Sequence, residues 1–142
     1  TPALSDPGAV LVRCAVAAGH EVIPIPGPSA FASLLSISGG MDKTVIFEGF
    51  LSPKPGRRKT RLRELLAMKA AIVLYESPFR VLKLLEDLAE IDKERYICVG
   101  REMTKVHEEY IRGTAAEVFA GFAAKKEIIG EFSVYISGNK VN

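Results

Sequence analysis

The stretch AAIVLYES (residues 70–77), then Pro78, then FRVLKLLEDL (79–88) decides the fold. The first part is a short apolar run, which reads as a buried strand. Pro78 has no amide hydrogen to give a ladder and ends that strand. Beyond it Leu82, Leu85 and Leu88 recur at helical spacing on one stripe, with Glu86 and Asp87 off it. A buried strand feeding an amphipathic helix is one unit of a layered α/β architecture.

The same alternation continues on both sides. Downstream, RYICVG (95–100) reads as a strand, and residues 106–112 as another, with Val106 and the Tyr110-Ile111 pair spaced by polar residues. Residues 114–124 form a short helix, and EFSVYISG (131–138) a last strand with a period of two. Upstream, residues 57–69 are helical, with Leu62, Leu65 and Leu66 on one face. SPKPG (52–56) carries two prolines and separates that helix from a strand, TVIFEGFL (44–51). Gly27-Pro28-Ser29 starts a helix over 30–37, which Ser38-Gly39-Gly40 ends. EVIPIP (21–26) reads as a short strand, and residues 9–18 as a helix stopped by Gly19.

A composition shift near residues 38–43 divides the chain into residues 1–40 and 41–142. The first part holds too few elements to close a core alone. It reads as the tail of a domain whose beginning lies upstream.

The 142 residues are 48% hydrophobic and 25% charged, which is globular composition rather than disorder. A net charge of +2 sets up no global basic field, so any nucleic-acid contact must come from local clustering. No apolar run approaches the roughly eighteen residues of a membrane span. Cys14 and Cys98 fit no spaced metal or redox motif, and with only His20 and His107 a histidine-rich metal site is not expected. A reduced, cytoplasmic protein without a metal is the simplest reading.

Five segments offer chemistry beside a plainer structural role. The turns Ser5-Asp6-Pro7-Gly8 and Pro26-Gly27-Pro28-Ser29 feed helices, where amides can bind a ligand or simply be capped. Neither is a phosphate-binding loop of known pattern. Six of the ten residues 54–63 are cationic: Lys54, Arg57, Arg58, Lys59, Arg61 and Arg63. Cations near a helix amino end oppose the dipole, so a phosphate partner competes with a solvated face as their explanation. Tyr75 and Glu76 close a strand at the end where open α/β sheets bind ligands. Gly100-Arg101-Glu102-Met103-Thr104-Lys105, and Gly130-Glu131-Phe132, stand at two further strand ends.

Taken in order, TPALSDPG, PIPGPSA, FEGFLSPKPGRRK, LYESPFR, GREMTK followed by Glu108-Glu109, RGT and GEF resemble the class III, tetrapyrrole-methylase-like methyltransferases. Within that family the order is most similar to the bacterial branch that 2′-O-methylates a cytidine ribose in 16S ribosomal RNA. The resemblance implies a remnant of an N-terminal αβα domain (1–40) followed by a C-terminal α/β domain with a mixed sheet (41–142). It implies S-adenosylmethionine in the cleft between them, a homodimer, and no metal. Thr1-Pro2 looks like the end of the family's donor loop, so the chain resembles a C-terminal fragment and is expected to bind the donor weakly or not at all alone.

Carried over by motif, Thr1, Ser29, Ala30, Tyr75, Gly100, Glu131 and Phe132 would hold the methyl donor. Glu76, Glu102 and Lys105 would orient or activate the attacking hydroxyl. Lys54, Arg57, Arg58, Lys59 and Arg61 would grip RNA. Phe79, Gly100 and Met103 stand where the family usually has His, Ala and Leu. A tetrapyrrole precursor as substrate, or a non-catalytic RNA-binding or dimerisation module, are the competing readings.

Overall fold

A computed structural model describes residues 1–139. The elements in order are α1 (Gly8–Ala17), α2 (Ala30–Ile37), β1 (Val45–Gly49), α3 (Pro55–Ala67) and β2 (Ala71–Glu76). There follow α4 (Val81–Ile91), β3 (Tyr96–Arg101), β4 (Glu109–Thr114), α5 (Ala115–Ala123) and β5 (Phe132–Ile136). The strands form one five-stranded sheet in the order β1-β2-β5-β3-β4. β1 and β2 are parallel, and β5 runs antiparallel between β2 and β3. β4 is antiparallel to β3 at the edge. The sheet is therefore mixed, and the carboxyl ends of β1, β2 and β3 share one margin with the amino end of β5. Phe132 is the residue in register with both Glu76 and Arg101 there.

One face of the sheet is covered by α3, α4 and α5. Leu62 and Leu65 of α3, Leu84, Leu85 and Leu88 of α4, and Val118 and Phe122 of α5 are buried there against Ile72, Leu74, Ile97, Val99, Val134 and Ile136. Each such Leu contributes about 1.5–3 kcal/mol by leaving water. Among the described helices α2 covers the other face, where it seats Leu34 over Ala71, Val73, Cys98 and Tyr135. The segment after α2 is pinned to that face: Tyr96 donates its hydroxyl to Ser38 O at 2.8 Å, and Tyr135 its own to Asp42.

Several expectations need correction. The α4 stripe is turned from the expected one: Val81, Leu84, Leu85 and Leu88 are buried and Leu82 packs at its edge. Asp87, expected off the stripe, is buried as the partner of Arg58. EVIPIP forms no strand, because no described residue offers its backbone a ladder, and residues 21–26 are exposed. The 106–112 strand begins instead at Glu109, because residues 102–108 form a turn. β5 has no period of two in its burial: its central place covers all five residues. α1 forms, but none of its residues is buried, and Val10, Leu11 and Val16 face outward. No described helix is long and apolar enough to cross a membrane.

Candidate functional site

A cleft of about 310 Å³ opens at the strand margin just described. Tyr75 and Glu76 from β2, Glu131, Phe132 and Ser133 at the start of β5, Ala30 at the start of α2, Phe50 after β1, and Ser5 line it. Five residues singled out in the sequence thus meet in one place: Ala30, Tyr75, Glu76, Glu131 and Phe132. The strand order explains the meeting, since inserting β5 beside β2 carries Glu131 and Phe132 to the end of LYES.

The site is held by specific bonds. Ser29 caps α2, accepting from Ala32 N at 3.4 Å, and the next free amide, that of Phe31, donates to the Tyr75 hydroxyl at 2.9 Å. Burial pushes the Tyr75 phenol above its ordinary value, so it stays protonated. Its ring packs edge-on against Phe47 at 4.9 Å and Phe50 at 5.9 Å. The Thr1 hydroxyl donates to Pro28 O at 3.0 Å, which ties Thr1 to the turn that feeds α2. Glu76 is buried and accepts from Ser77 N at 2.8 Å and from the Arg80 guanidinium at 2.6 Å.

At the rim, Lys105 Nζ lies 3.0 Å from both Glu102 and Glu131. The Glu102 carboxylate also accepts from Glu131 N at 2.7 Å. That backbone bond, then Lys105, holds the Glu102 carboxyl below the ordinary carboxylate range. Lys105 is raised by Glu131 first and Glu102 second. Among the described residues the lining carries two carboxylates, Glu76 and Glu131, and their cationic partners Arg80 and Lys105 stand outside it. Aromatic walls with carboxylates suit a ligand with an apolar plane and positive charge, and suit a phosphate poorly.

Gly100 is absent from the lining. It lies one strand behind, in register with Ser133, on the α2 face. A Cβ there would meet Met103 Sδ at 2.5 Å and Leu34 Cδ1 at 3.2 Å. Phe50, Ser133 and Ser5 were not singled out as ligand residues. Phe50 lies in the FEGFLSPKPGRRK motif, and Ser5 in the Ser5-Asp6-Pro7-Gly8 turn. Ser133 carries no signal of its own, because its position depends on β5 being inserted between β2 and β3.

The basic run divides sharply. Arg58 is only 4% exposed and donates to Asp87 at 2.6 Å between α3 and α4. Lys59 pairs with Glu90 and Asp87, and Arg61 makes a two-bond fork to Glu48 at 2.7 and 2.9 Å. Among the described residues Lys54 and Arg57 are exposed and make no ion pair. No described group of three or more His, Cys, Asp and Glu could hold a metal.

The profile of the tetrapyrrole (corrin/porphyrin) methylases matches residues 1–118. Ribosomal RNA small subunit methyltransferase I of Borrelia garinii is 44% identical over 138 residues, 96% of this chain and 62% of its own length. The protein of the same name from Thermotoga maritima is 42% identical over 139 residues, 98% of this chain and again 62% of its own. The chain thus spans less than two thirds of these relatives. Among solved structures, the methyltransferase CobJ superposes with a TM-score of 0.64 at 19% identity, covering 93% of this chain and 59% of its own. The uroporphyrin-III C-methyltransferase of Thermus thermophilus, complexed with S-adenosylhomocysteine, superposes with a TM-score of 0.57 at 14% identity, over 90% of this chain and 58% of its own. At these identities the superpositions speak for the fold.

Proposed function

The chain belongs to the tetrapyrrole (corrin/porphyrin) methylase family, and on that premise we propose that it is part of an enzyme that moves a methyl group from S-adenosylmethionine to the 2′-hydroxyl of a cytidine in 16S ribosomal RNA. The observation that carries the reading is the strand-margin cleft, with aromatic walls, the carboxylates Glu76 and Glu131, and no cation among its described lining residues. When bound, the donor supplies an electrophilic methyl on a positively charged sulfur. Ala30, Tyr75, Glu131 and Phe132 would hold it, with Thr1 and Ser29 fixing the turn beside it. Gly100 would act from behind the wall, by letting Met103 and Leu34 close under Ser133.

A displacement at the methyl carbon is governed by alignment and exclusion of water, so positioning supplies most of the rate. Glu76, buried and ion-paired with Arg80, keeps one edge of the cleft rigid. Lys105 and Glu102 stand at the rim, where the ribose would enter. Lys54 and Arg57 are free to meet phosphates, whereas Arg58, Lys59 and Arg61 are committed within the fold. A homodimer, and a cytoplasmic location beside the ribosomal subunit, belong to the same proposal.

The test is methyl transfer from tritiated S-adenosylmethionine to small ribosomal subunits by the full-length protein. Label at a 2′-oxygen leaves an alkali-resistant dinucleotide, because the blocked oxygen cannot attack its neighbouring phosphate. That product is expected. Label in a base, or in a porphyrinogen instead of RNA, would overturn the reading.

A further inference from the structure

The turn after β3 is built around one carboxylate. Glu102 takes a left-handed backbone conformation at φ +48°, and Thr104 another at +65°, which side chains adopt at a cost. Surrounding bonds hold them there. Glu102 N donates to Glu131 O at 3.0 Å, and the Glu102 carboxylate takes back the Glu131 amide at 2.7 Å. The exchange is a two-bond clasp between the turn and the residue that opens β5. Lys105 Nζ bridges the Glu102 and Glu131 side chains at 3.0 Å each. Glu108 accepts from Thr104 N at 2.6 Å and from the Tyr110 hydroxyl, closing the turn's far side. Gly130 makes the clasp possible, since a Cβ there would lie 2.6 Å from Glu102 Cγ, and its φ of +101° suits only glycine.

We propose that Glu102 is a positioning residue: through the Glu131 backbone it sets the wall of the cleft where the donor sits, and it is not the base that takes the hydroxyl proton. The role rests on the methyl-transfer reading of the cleft. Geometry assigns it, because one oxygen of the carboxylate, Oε1, takes both the Glu131 amide and the Lys105 ammonium and so fixes the side chain against the β5 entry. A carboxylate so bonded is also a weak base. Lys105 is the movable member of the clasp. It is half-exposed, and its release from Glu131 on ligand binding would free that carboxylate for the ligand.

Glu102→Gln keeps an oxygen to accept the Glu131 amide, and Glu102→Ala does not. Both are compared with wild type in the full-length protein by donor KM, kcat, the pH profile of transfer and exchange of the Glu131 amide hydrogen. Glu102→Gln is expected to match wild type within about twofold in kcat, with the same pH profile. Glu102→Ala is expected to raise the donor KM about tenfold, the scale of one charge-assisted hydrogen bond, and to lose the amide protection. A collapse of kcat in Glu102→Gln at unchanged KM would overturn the proposal, as would an alanine variant with unaltered KM and amide exchange. A wild-type protein that transfers no methyl group refutes the proposed function instead. The amide exchange of the two variants then still decides whether Glu102 holds Glu131.

Discussion

The Tyr75 hydroxyl accepts the Phe31 amide at 2.9 Å, a bond between residues 44 positions apart that ties the first turn of α2 to the end of β2. The helix amino end and the strand end therefore form one rigid corner of the cleft. Tyr75→Phe removes the acceptor and leaves the Phe31 amide without its partner. The expected cost is about 1–3 kcal/mol in stability. The affinity of the full-length protein for S-adenosylhomocysteine should fall in parallel. Chemical denaturation and calorimetry measure the two effects separately.

The basic run separates into struts and free cations, and the two should behave differently. Arg58→Ala leaves Asp87 buried with only Lys59, at 3.6 Å, nearby. A loss of about 3–5 kcal/mol is expected, as for a broken buried pair. Arg57→Ala and Lys54→Ala should leave stability within about 0.5 kcal/mol of wild type. Each should lower the salt slope of RNA binding by about one phosphate contact. Urea denaturation and RNA binding measured across a salt series check both halves.

Gly100 and Met103 lie against each other. A Cβ at position 100 would come within 2.5 Å of Met103 Sδ. Gly100→Ala alone should cost about 1–3 kcal/mol by overpacking. Combined with Met103→Leu, part of that loss should return, giving a coupling of about 0.5–3 kcal/mol in a double-mutant cycle. Strict additivity would contradict the contact.

Acid should loosen the fold through its capping carboxylates. Glu117, which accepts the Thr114 amide in the capping box of α5, is held below its ordinary value of 4.5, as are Glu102 and Glu108. A lowered folded-state value means the charged form is favoured by folding. The stabilisation is thus fully present above 4.5 and disappears as pH falls through the lowered values. Glu117→Gln keeps a capping acceptor but cannot titrate. Its Tm should fall less steeply than that of wild type between about pH 5 and pH 3.

Local pattern carried the element types well. The run 70–77 holds the largely buried strand β2, Ala71–Glu76, which stops just before Pro78. The mixed sheet itself followed from the family resemblance and not from any periodicity. What failed was what depends on neighbours. EVIPIP has a strand's composition but no described ladder partner. β5 looked half-exposed because its polar Ser133 alternates with apolar residues, yet its central place buries every position. The same insertion hid Ser133 as a wall of the cleft. Asp87 looked solvated until α3 brought Arg58 across to it. Charge counting found the basic run but could not tell a buried strut from a free cation, because that difference lies in the opposing carboxylates of β1 and α4.

The central claim is that the strand-margin cleft receives the methyl donor. Titrating S-adenosylhomocysteine calorimetrically into the full-length protein and into its Ala30→Trp variant, which fills the mouth of the cleft, tests it most directly. Micromolar binding by the wild type, lost in the variant at an unchanged Tm, is the result predicted here, with weak or no binding by residues 1–142 alone. Binding that survives Ala30→Trp, or no binding by the wild type, would contradict it.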